Sequence, residues 1–539
     1  MEQHKKAVAD IAAKVASFHK RKVPFRVYHE STNSTRHIQH DPRKVVNTGP
    51  LSHIISINTE KQVALVEPNV PMDTFVKATL ERGFVPQVVP EFPAITVGGA
   101  FSGTAAESSS FKYGYFDQSV NWIEVVLADG NIIKASPVEN SDLFYGAIGA
   151  CGTLGVTTLF EIKLISSGKF VELTYLPVHS FSDAVARMDA CIAECWDYVD
   201  GIMYSGNMGV IVVGRITDRR TTGLPVVKFT RARDKWYFLH AHSQAAHLRN
   251  TICTTCYFGD ARPARLSEKA SELVPLYDYF FRYDRGCFWM GSYGWPPWCI
   301  NMLPGRLLFN RLSHTKINYK LMHHSRRYQS FIIQDLAIPR VNAQQFLEWT
   351  EESLALFPLW LCPIRAETKA PLHNANRPPA VADTAPTASG PDSTTEDAQT
   401  GQPGPDYVLN VGLWGVNNSS WPHLKNNIGP EHYPAWVADN RAVEAKVKEL
   451  GGLKWLYAHN FYTEDDFWSI YDKEKYDGLR AKWGAESMPS IWDKVRRRDF
   501  EYLEGSFAKA LVLTVLGQDH LLKKRKEEEE KKKKKKKKK

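Results

Sequence analysis

The sequence predicts an α+β fold, in which helices and antiparallel strands follow one another along the chain. Residues 5–19 repeat apolar side chains at the spacing of an amphipathic helix, and a second helix is expected from Met72 to a stop at Gly83. Residues 123–135 are typical of a β-hairpin, because Asp129-Gly130 supplies the turn between two apolar runs.

The remaining residues add elements of both kinds. We expect strands at 63–66, 160–164 and 171–175, a helix around 185–195, a hairpin over 201–214 and a helix near Ala481. Residues 366–406 are rich in Pro, Ala, Thr and Asp with almost no large apolar side chains, which predicts a flexible insertion. Residues 286–312 are rich in Trp, Phe, Leu and Pro, and either cover a pocket or rest on a membrane surface.

Length and charge limit the classes of protein. A chain of 539 residues is long enough for two or three domains with full cores. Its net charge of +9 comes from residues 523–539, which hold 13 basic and 4 acidic groups, whereas the other residues hold 55 of each sign. A neutral body makes a nucleic-acid partner unexpected. The lysine run at 531–539 is either a solvated extension or an attachment to anionic lipid.

The eight cysteines show no disulfide framework and favour a reducing compartment. Cys253 and Cys256 form a CxxC pair without a second pair at zinc spacing, so no metal site is predicted. The sequence shows no signal peptide and no run of 18 apolar residues.

Residues 91–114 form the most informative stretch, because they combine Gly98, Gly99 and Gly103 with many small or hydroxylated residues. Such a backbone lets another group come close and can point its N–H groups at an anion. It is neither GxGxxG nor GxxxxGK[ST], so those nucleotide-binding folds are not indicated. On its own the stretch is equally consistent with a Gly/Ser-rich surface loop.

The order of several motifs carries a resemblance to a known family. The motifs of the first half are VEP (66–68), TVGGAFSGTAAESSSFKYG (96–114), LADG (127–130), NSDLFY (140–145) and CGTLGV (151–156). Those of the second half are VDGIMY (199–204), QD (334–335), FPLWLCP (357–363) and YDGLR (476–480). Over residues 25–498 the chain resembles the Δ24-sterol reductase family (24-dehydrocholesterol reductase, DIMINUTO/DWARF type) of the vanillyl-alcohol oxidase/p-cresol methylhydroxylase (PCMH) superfamily. The N-terminal membrane anchor of that family is not visible here.

The resemblance implies a two-subdomain FAD-binding domain of the PCMH type plus an α+β cap domain that binds substrate. The implied boundaries are an N-terminal helix at 1–24, the FAD-binding domain at 25–168, the cap at 169–365, a disordered insertion at 366–406, the end of the cap with a return to the FAD domain at 407–517, and a charged disordered tail at 518–539.

The resemblance also implies FAD as the cofactor and NADPH as the electron donor. The first loop, Ser31, Thr32, Asn33, Ser34 and Thr35, should close over the FAD diphosphate. The glycine stretch should cradle the FAD through Thr96, Val97, Gly98, Gly99, Ala100, Ser102, Gly103, Thr104, Ser108, Tyr113 and Gly114, and the flavin ring or ribityl chain should lie against Gly152, Thr153, Gly155 and Val156. Some relatives attach FAD through a histidine in the first loop, where this chain has His29. The expectation for this branch is noncovalent binding.

Reducing an isolated trisubstituted alkene requires a hydride at one carbon and a proton at the other. Candidate acids in the matched cap region are Tyr283, Asp284, Asp335, Tyr457 and His459, of which we favour Tyr457 and Asp335. Each of these residues also has an ordinary structural interpretation, with its polar end satisfied inside a packed region. No metal ligand is assigned.

The expected function is reduction of the Δ24 side-chain double bond of a sterol, an apolar substrate that needs a long cleft with walls from the aromatic residues of 275–312. The expected location is the endoplasmic-reticulum membrane surface or the cytoplasm, with membrane contact through the aromatic cap and the basic tail. Two alternatives stay open: an FAD oxidase or dehydrogenase of an alcohol or other small molecule, and a non-catalytic scaffold that binds lipid or a partner. The oligomeric state is not indicated.

Overall fold

A computed structural model describes residues 1–30, 33–255, 270–294, 300–375, 406–416, 430–497 and 500–522. Among these residues, the strands are β1 Arg26–Tyr28, β2 Val45–Asn47, β3 Ile54–Asn58, β4 Val63–Val66, β5 Phe84–Pro86, β6 Val120–Val126, β7 Ile132–Ala135, β8 Val156–Ser166, β9 Phe170–Val178, β10 Tyr198–Ser205, β11 Met208–Thr217, β12 Ala270–Pro275, β13 Ile332–Pro339, β14 Leu359–Ile364, β15 Val408–Gly415 and β16 Leu453–Lys454. Helices and antiparallel sheets therefore alternate, and the predicted α+β class is confirmed.

The helices are α1 Glu2–Lys20, α2 Met72–Leu80, α3 Val97–Ser102, α4 Ser110–Tyr113, α5 Ser141–Ala147, α6 Phe181–Ala193, α7 Tyr237–Thr255, α8 Leu276–Phe280, α9 Gly291–Gly294, α10 Leu303–Ser313, α11 Thr315–Ser325, α12 Ala343–Leu354, α13 Tyr433–Glu449, α14 Glu464–Ile470, α15 Lys473–Lys482, α16 Ile491–Val495 and α17 Phe507–Val515. The predicted helices at 5–19, 72–83, 185–195 and near Ala481 correspond to α1, α2, α6 and α15. α1 buries Val8, Ile11, Val15 and Phe18, the stripe that predicted it.

The first large sheet has the order β3-β4-β8-β6-β7, and β5 pairs with the end of β8. All its neighbours are antiparallel, and β6 and β7 are the predicted hairpin, with Val126 opposite Ile132. A separate parallel pair, β1 and β2, lies N-terminal to this sheet in the sequence. These two β units hold the glycine stretch and the first loop.

The second large sheet has the order β12-β9-β11-β10-β14-β15-β13-β16, again with antiparallel neighbours. Its strands β13, β14 and β15 are buried along their whole lengths, which is why their sequences do not alternate between apolar and polar residues. β8 of the first sheet ends at Ser166 and β9 of the second begins at Phe170.

The prediction of a disordered insertion at 366–406 is wrong for its first ten residues. Leu372 and His373 are buried, His373 Nε2 lies 3.3 Å from Asp117 Oδ1, and Thr104 Oγ1 donates to Asn374 Oδ1 at 2.8 Å. Composition averaged over 41 residues concealed this short anchored piece, because its few contacts are with distant residues. Three predicted features lie outside the described residues: the rest of the insertion (376–405), the side chains of Cys253 and Cys256, and the tail from 523.

Among the described residues, no helix combines the length and the apolar character needed to cross a membrane.

Candidate active site

A cleft with a volume of about 370 Å³ lies between the loops of the first sheet and one face of the second. The glycine stretch and residues 149–157 form one side, and side chains from β13, β14, β15 and residues 454–457 form the other. The cleft is therefore built where the two sheets meet.

The glycine stretch is held by its own backbone. Thr96 caps α3, its Oγ1 accepting from Gly99 N at 3.2 Å, and Gly98 N donates to Pro68 O at 2.8 Å. A Cβ at Gly98 would lie 2.8 Å from Pro68 Cβ, closer than side chains pack. Pro68 of the VEP motif therefore packs against Gly98 of the TVGG motif, and a larger residue at position 98 would clash with Pro68.

Positive charge gathers at one end of the cleft. Arg26, Arg36 and Lys494 line this end together with His29 and His40. Lys494 Nζ donates to the carbonyls of Cys151 and Gly152 at 2.9 and 3.0 Å, which ties the cation to the CGTLGV loop. Burial, aided by the neighbouring Arg26, lowers the pKa of Lys494 to about 7.

The opposite end is acidic and aromatic. Tyr457 Oη donates to Asp335 Oδ2 at 2.5 Å, while Asn410 Nδ2 and Trp414 Nε1 lie 3.5 Å from Asp335 Oδ1. Burial raises the pKa of Asp335 to about 6, although its three hydrogen-bond donors oppose that shift. The Trp360 indole completes this end of the cleft.

Glu91 is a second carboxyl group facing the cleft. Burial, together with a smaller effect of the nearby carboxylates of Glu107 and Asp335, raises the pKa of Glu91 to about 8. Two acids with raised pKa values therefore share the cleft with four cations, Arg26, Arg36, Lys454 and Lys494.

Most of the predicted cofactor residues come together in the cleft. Its lining includes Asn33, Ser34, Thr96, Gly98, Gly99, Ser102, Gly103, Thr104, Gly152, Gly155 and Val156. Ser31 and Thr32 lie outside the described residues.

The remaining predicted cofactor residues do not line the cleft, and their contact with FAD stays a prediction; they are Thr35, Val97, Ala100, Ser108, Tyr113, Gly114 and Thr153. Val97 and Ala100 face the apolar core from the buried side of α3. Ser108 is bonded to Glu107 and Tyr279, and the Gln118 side chain occupies the space beside Gly114. Thr153 Oγ1 donates to Ala150 O and accepts from Tyr476. Consecutive residues of a motif point in different directions, so only some of them face the cleft.

Of the candidate acids, Asp335 and Tyr457 line the cleft and are bonded to each other. The other three candidates do not line it. Tyr283 donates to Asp200 Oδ2 at 2.8 Å, Asp284 pairs with His314 at 2.6 Å, and His459 Nε2 lies 3.2 Å from Tyr328 O. Their ordinary structural interpretation therefore holds.

The described residues of the aromatic segment, 275–294 and 300–312, do not line the cleft. Phe288 packs on Trp414 at 5.1 Å and on Trp360 at 5.2 Å between ring centroids, so it supports the rings that do line the cleft. The aromatic rings that line the cleft come from Tyr28, Phe92, Tyr319, Trp360, Trp414, Trp455, Tyr457 and Tyr471, and the predicted sterol wall at 275–312 stays a prediction.

Sequence reasoning missed Glu91, Lys494, Arg26, Trp455 and Asn374, all of which line the cleft. Trp455 Nε1 donates to Thr104 O at 2.8 Å, which joins the end of the glycine stretch to the second sheet. The signal available for Glu91 was its position at the head of the glycine stretch. Lys494 and Arg26 had no local signal, because their importance depends on burial beside distant loops.

The residues present fit FAD. Its diphosphate is anionic, and the basic end of the cleft offers three cations beside a backbone of small residues. Arg36 Nε and Asn374 Nδ2 are buried at the cleft without a hydrogen-bond partner among the described residues. Buried N–H groups are normally hydrogen-bonded, so these two could donate to oxygen atoms of a bound FAD. His29 Nδ1 is likewise unpartnered, and burial lowers the pKa of His29.

Comparisons with known proteins agree with this cleft. Residues 5–136 match the FAD binding domain family. The chain is 27% identical over 461 residues to the Delta(24)-sterol reductase of Homo sapiens, covering 83% of this chain and 76% of that protein. It is 26% identical over 501 residues to the Delta(24)-sterol reductase of Arabidopsis thaliana, covering 86% and 80%. Cytokinin dehydrogenase 9 of Oryza sativa subsp. japonica is 32% identical over 136 residues, 25% of this chain and 26% of that protein. The predicted resemblance to the Δ24-sterol reductases is confirmed, and it extends well past the FAD-binding domain.

Proposed function

Starting from an FAD-binding domain and a similarity to Delta(24)-sterol reductases that covers both sheets, we propose that this protein reduces the Δ24 side-chain double bond of a sterol with NADPH. The observation that supports the proposal best is the lining of the cleft, which combines cations beside a small-residue backbone with aromatic side chains around a bonded acid pair. An anionic cofactor and an apolar substrate that must be protonated need these two environments.

When bound, FAD supplies a carrier that accepts two electrons from a nicotinamide and delivers hydride to an alkene. Arg36 and Lys494 would neutralise its diphosphate, and Gly98, Gly99 and Gly103 would allow the backbone to approach it. Trp455, bonded to Thr104 O, fixes the glycine stretch against the second sheet, where the reacting groups lie.

The proton comes from the Asp335–Tyr457 pair in this proposal. Because the pKa of Asp335 is about 6, a fraction of its carboxyl groups is protonated at neutral pH. Tyr457 can then give its phenol proton to the substrate while the protonated Asp335 replaces it across their shared hydrogen bond, which leaves the charge on the carboxylate and not on a buried phenolate. Glu91, with a pKa of about 8, is a second protonated group at the same end. Burial by Trp360 and Trp414 excludes water that would otherwise keep these acids ionised.

The chain offers no second nucleotide-binding motif, so we propose that NADPH and the sterol enter the same cleft in turn. The proposed setting is the endoplasmic-reticulum membrane surface, where an apolar substrate of this class is dissolved. Both statements extend the proposal and are tested with it.

Product analysis tests the proposal directly. The purified protein with bound FAD is incubated with NADPH and a Δ24-unsaturated sterol, and the sterol is examined by mass spectrometry. A product heavier by two hydrogens, absent without NADPH, is expected. Product that is dehydrogenated or hydroxylated, or no sterol product with a fully flavin-loaded protein, would contradict the assignment.

The oxidase or dehydrogenase alternative rests on the cytokinin dehydrogenase match, which covers 25% of this chain. Bleaching of the flavin by a small alcohol or amine, followed by rapid recovery in air, would favour this alternative. A colourless protein that takes up no added FAD would contradict both enzyme functions and favour a non-catalytic scaffold.

A further inference from the structure

The helices α10 and α17 expose more apolar surface than they bury. Their exposed side chains are Met302 (57%), Leu303 (48%), Leu307 (53%) and Leu308 (73%) on or beside α10, and Val512 (58%), Val515 (59%) and Leu516 (67%) on or beside α17. α17 buries only Ala510 and Thr514. Single exposed apolar residues are common, whereas one apolar face on each of two helices indicates a contact that is missing.

The two helices belong to one layer, because α11 contacts both of them. We call the exposed apolar side chains of α10 and α17 just named, together with α11, the docking surface. The segment that holds α10 and α11 carries charge of one sign, because from residue 285 to residue 334 the sequence has seven Lys and Arg and no Asp or Glu, whereas the exposed Glu501 and Glu504 precede α17. Arg311, Lys316 and Lys509 are exposed on the three helices.

We propose that the docking surface binds the face of a lipid bilayer that contains anionic headgroups. Apolar helix faces bordered by lysine and arginine suit the boundary between acyl chains and headgroups, where the apolar side chains are buried and the cations meet phosphate. Residues 523–539 add 13 basic groups to the chain just after α17. The tail also begins beside this surface, since His324 Nε2 of α11 lies 3.1 Å from Gln518 O.

A second copy of the chain fits this surface poorly. A twofold dimer would pair the surface with itself, and would therefore place Arg311, Lys316 and Lys509 of one copy near the same cations of the other. No acidic residue lies in the 285–334 segment to balance them. A bilayer supplies both the apolar phase and the negative charge.

A side pocket of about 80 Å³ lies between this surface and the cleft. Its walls include Leu321, Met322, Phe331 and Ile333, and Tyr319 and Trp414 line both the side pocket and the cleft. An apolar passage from the helix layer to the active site, which we include in the proposal, would run past these two rings.

Arg327 and Phe507 lie at the other end of the side pocket, where the guanidinium carbon is 4.7 Å from the ring centroid. Phe507 is 36% exposed at the start of α17, so this pair stands between the pocket and the exterior. An apolar substrate leaving a docked bilayer would pass this pair. The passage depends on the proposed function, whereas docking does not.

The experiment uses the full-length FAD-loaded protein and sedimentation with vesicles of phosphatidylcholine, with and without phosphatidylserine. The variant Val512→Glu/Leu516→Glu is compared with Val138→Glu/Val341→Glu, which adds the same charge at apolar residues exposed 94% and 77% away from the docking surface. Sedimentation is repeated in high salt, where attraction of the lysine tail to lipid is screened and burial of apolar side chains persists. Flavin content and melting temperature confirm that each variant is folded.

We expect wild type and control to bind phosphatidylserine vesicles, and the α17 variant to lose affinity by a factor on the order of ten or more, most clearly in high salt. Equal binding of all three proteins, or an adsorption that high salt removes completely, would overturn the proposal and leave the tail as the attachment. No vesicle binding, together with a dimer that the α17 variant dissociates, would overturn it in favour of self-association.

Turnover separates docking from the proposed function. The α17 variant should reduce sterol dispersed in detergent like wild type, but vesicle-borne sterol more slowly. If the protein reduces no sterol in either form, the proposed function fails, while the vesicle-binding result still decides whether the surface docks.

Discussion

Replacing Asp335 with asparagine removes the acid of the Asp335–Tyr457 pair while keeping the size and most polar contacts of the side chain. The amide oxygen can still accept from Asn410 Nδ2 and Trp414 Nε1, which lie 3.5 Å from Asp335 Oδ1, while the amide NH2 donates to Tyr457 Oη in place of the bond that Asp335 Oδ2 accepts. What disappears is a proton that the side chain can release. Removing a positioned general acid costs about 10²–10⁴ in rate, so the sterol-dependent step should slow by that factor.

The rate of the sterol-dependent step should also depend on pH. With a pKa of about 6, Asp335 is half protonated at pH 6, and about 1% protonated at pH 8. The rate of the step that needs the protonated acid should therefore fall about 50-fold between these two pH values in wild type. In Asp335→Asn this decline should vanish, while a separate decline near pH 8 from Glu91 can persist.

Stability should move in the opposite direction from activity. Because the folded-state pKa of Asp335 is above its ordinary value, the folded state holds more protons than the unfolded state between about pH 4 and pH 6, and stability falls as pH rises through that window. The asparagine variant does not incur this loss, so its melting temperature at pH 7.5 should equal or exceed that of wild type.

Stopped-flow absorbance separates the two half-reactions of Asp335→Asn. Reduction by NADPH should keep its wild-type rate, and reoxidation by a Δ24-unsaturated sterol should be slowed. An unchanged reoxidation rate with an unchanged pH profile would refute the role given to Asp335. Slowing of both half-reactions, or loss of flavin, would show that Asp335 shapes the cleft and does not supply the proton.

Three further variants test the cofactor end and the scaffold. Gly98→Ala puts a Cβ 2.8 Å from Pro68 Cβ and should lower both flavin content and melting temperature, whereas Gly478→Ala, in a helix with nothing within 4 Å, should raise stability by up to about 1 kcal/mol in a denaturant titration. Lys494→Gln should weaken FAD binding below pH 7, where the lysine of the wild type is charged. The wild type should lose affinity for FAD as the pH rises above about 7, and the variant should not, as measured by calorimetry. The same dependence of FAD affinity on pH in the two proteins would count against contact of Lys494 with the diphosphate. Arg282→Met removes the cation between the buried carboxylates of Glu107 and Asp200, and should reduce unfolding free energy by about 3–5 kcal/mol; a change below 1 kcal/mol would mean that these acids are neutral.

Local patterns predicted the elements well where one face is buried and the other is wet. α1 and the β6–β7 hairpin show this, since apolar spacing in the first and Asp129-Gly130 in the second carry the whole signal. The buried strands β13–β15 lack that alternation, so the sequence did not predict their order in the second sheet. It also did not predict that β12 and β13, which follow one another in the sequence, lie far apart in that sheet. Sheet order depends on contacts between residues far apart in sequence.

The candidate site was predictable where a motif needs a special backbone, as at Gly98 beside Pro68. It was not predictable where ordinary residues become functional through burial. Lys494 resembles any lysine of a charged helix until its ammonium group meets the carbonyls of Cys151 and Gly152. Leu372 and Asn374, in a segment expected to be disordered, line the cleft because partners such as Thr104 lie more than 250 residues away.

The central claim is that one cleft passes reducing equivalents from NADPH to a Δ24-unsaturated sterol, and anaerobic absorbance of the FAD-loaded protein tests it most directly. NADPH should bleach the flavin band, air-free buffer should leave it bleached, and the sterol should restore it, while the saturated side-chain analogue should not. Bleaching by NADPH with no recovery on adding the unsaturated sterol, or equal recovery with the saturated analogue, would contradict the claim.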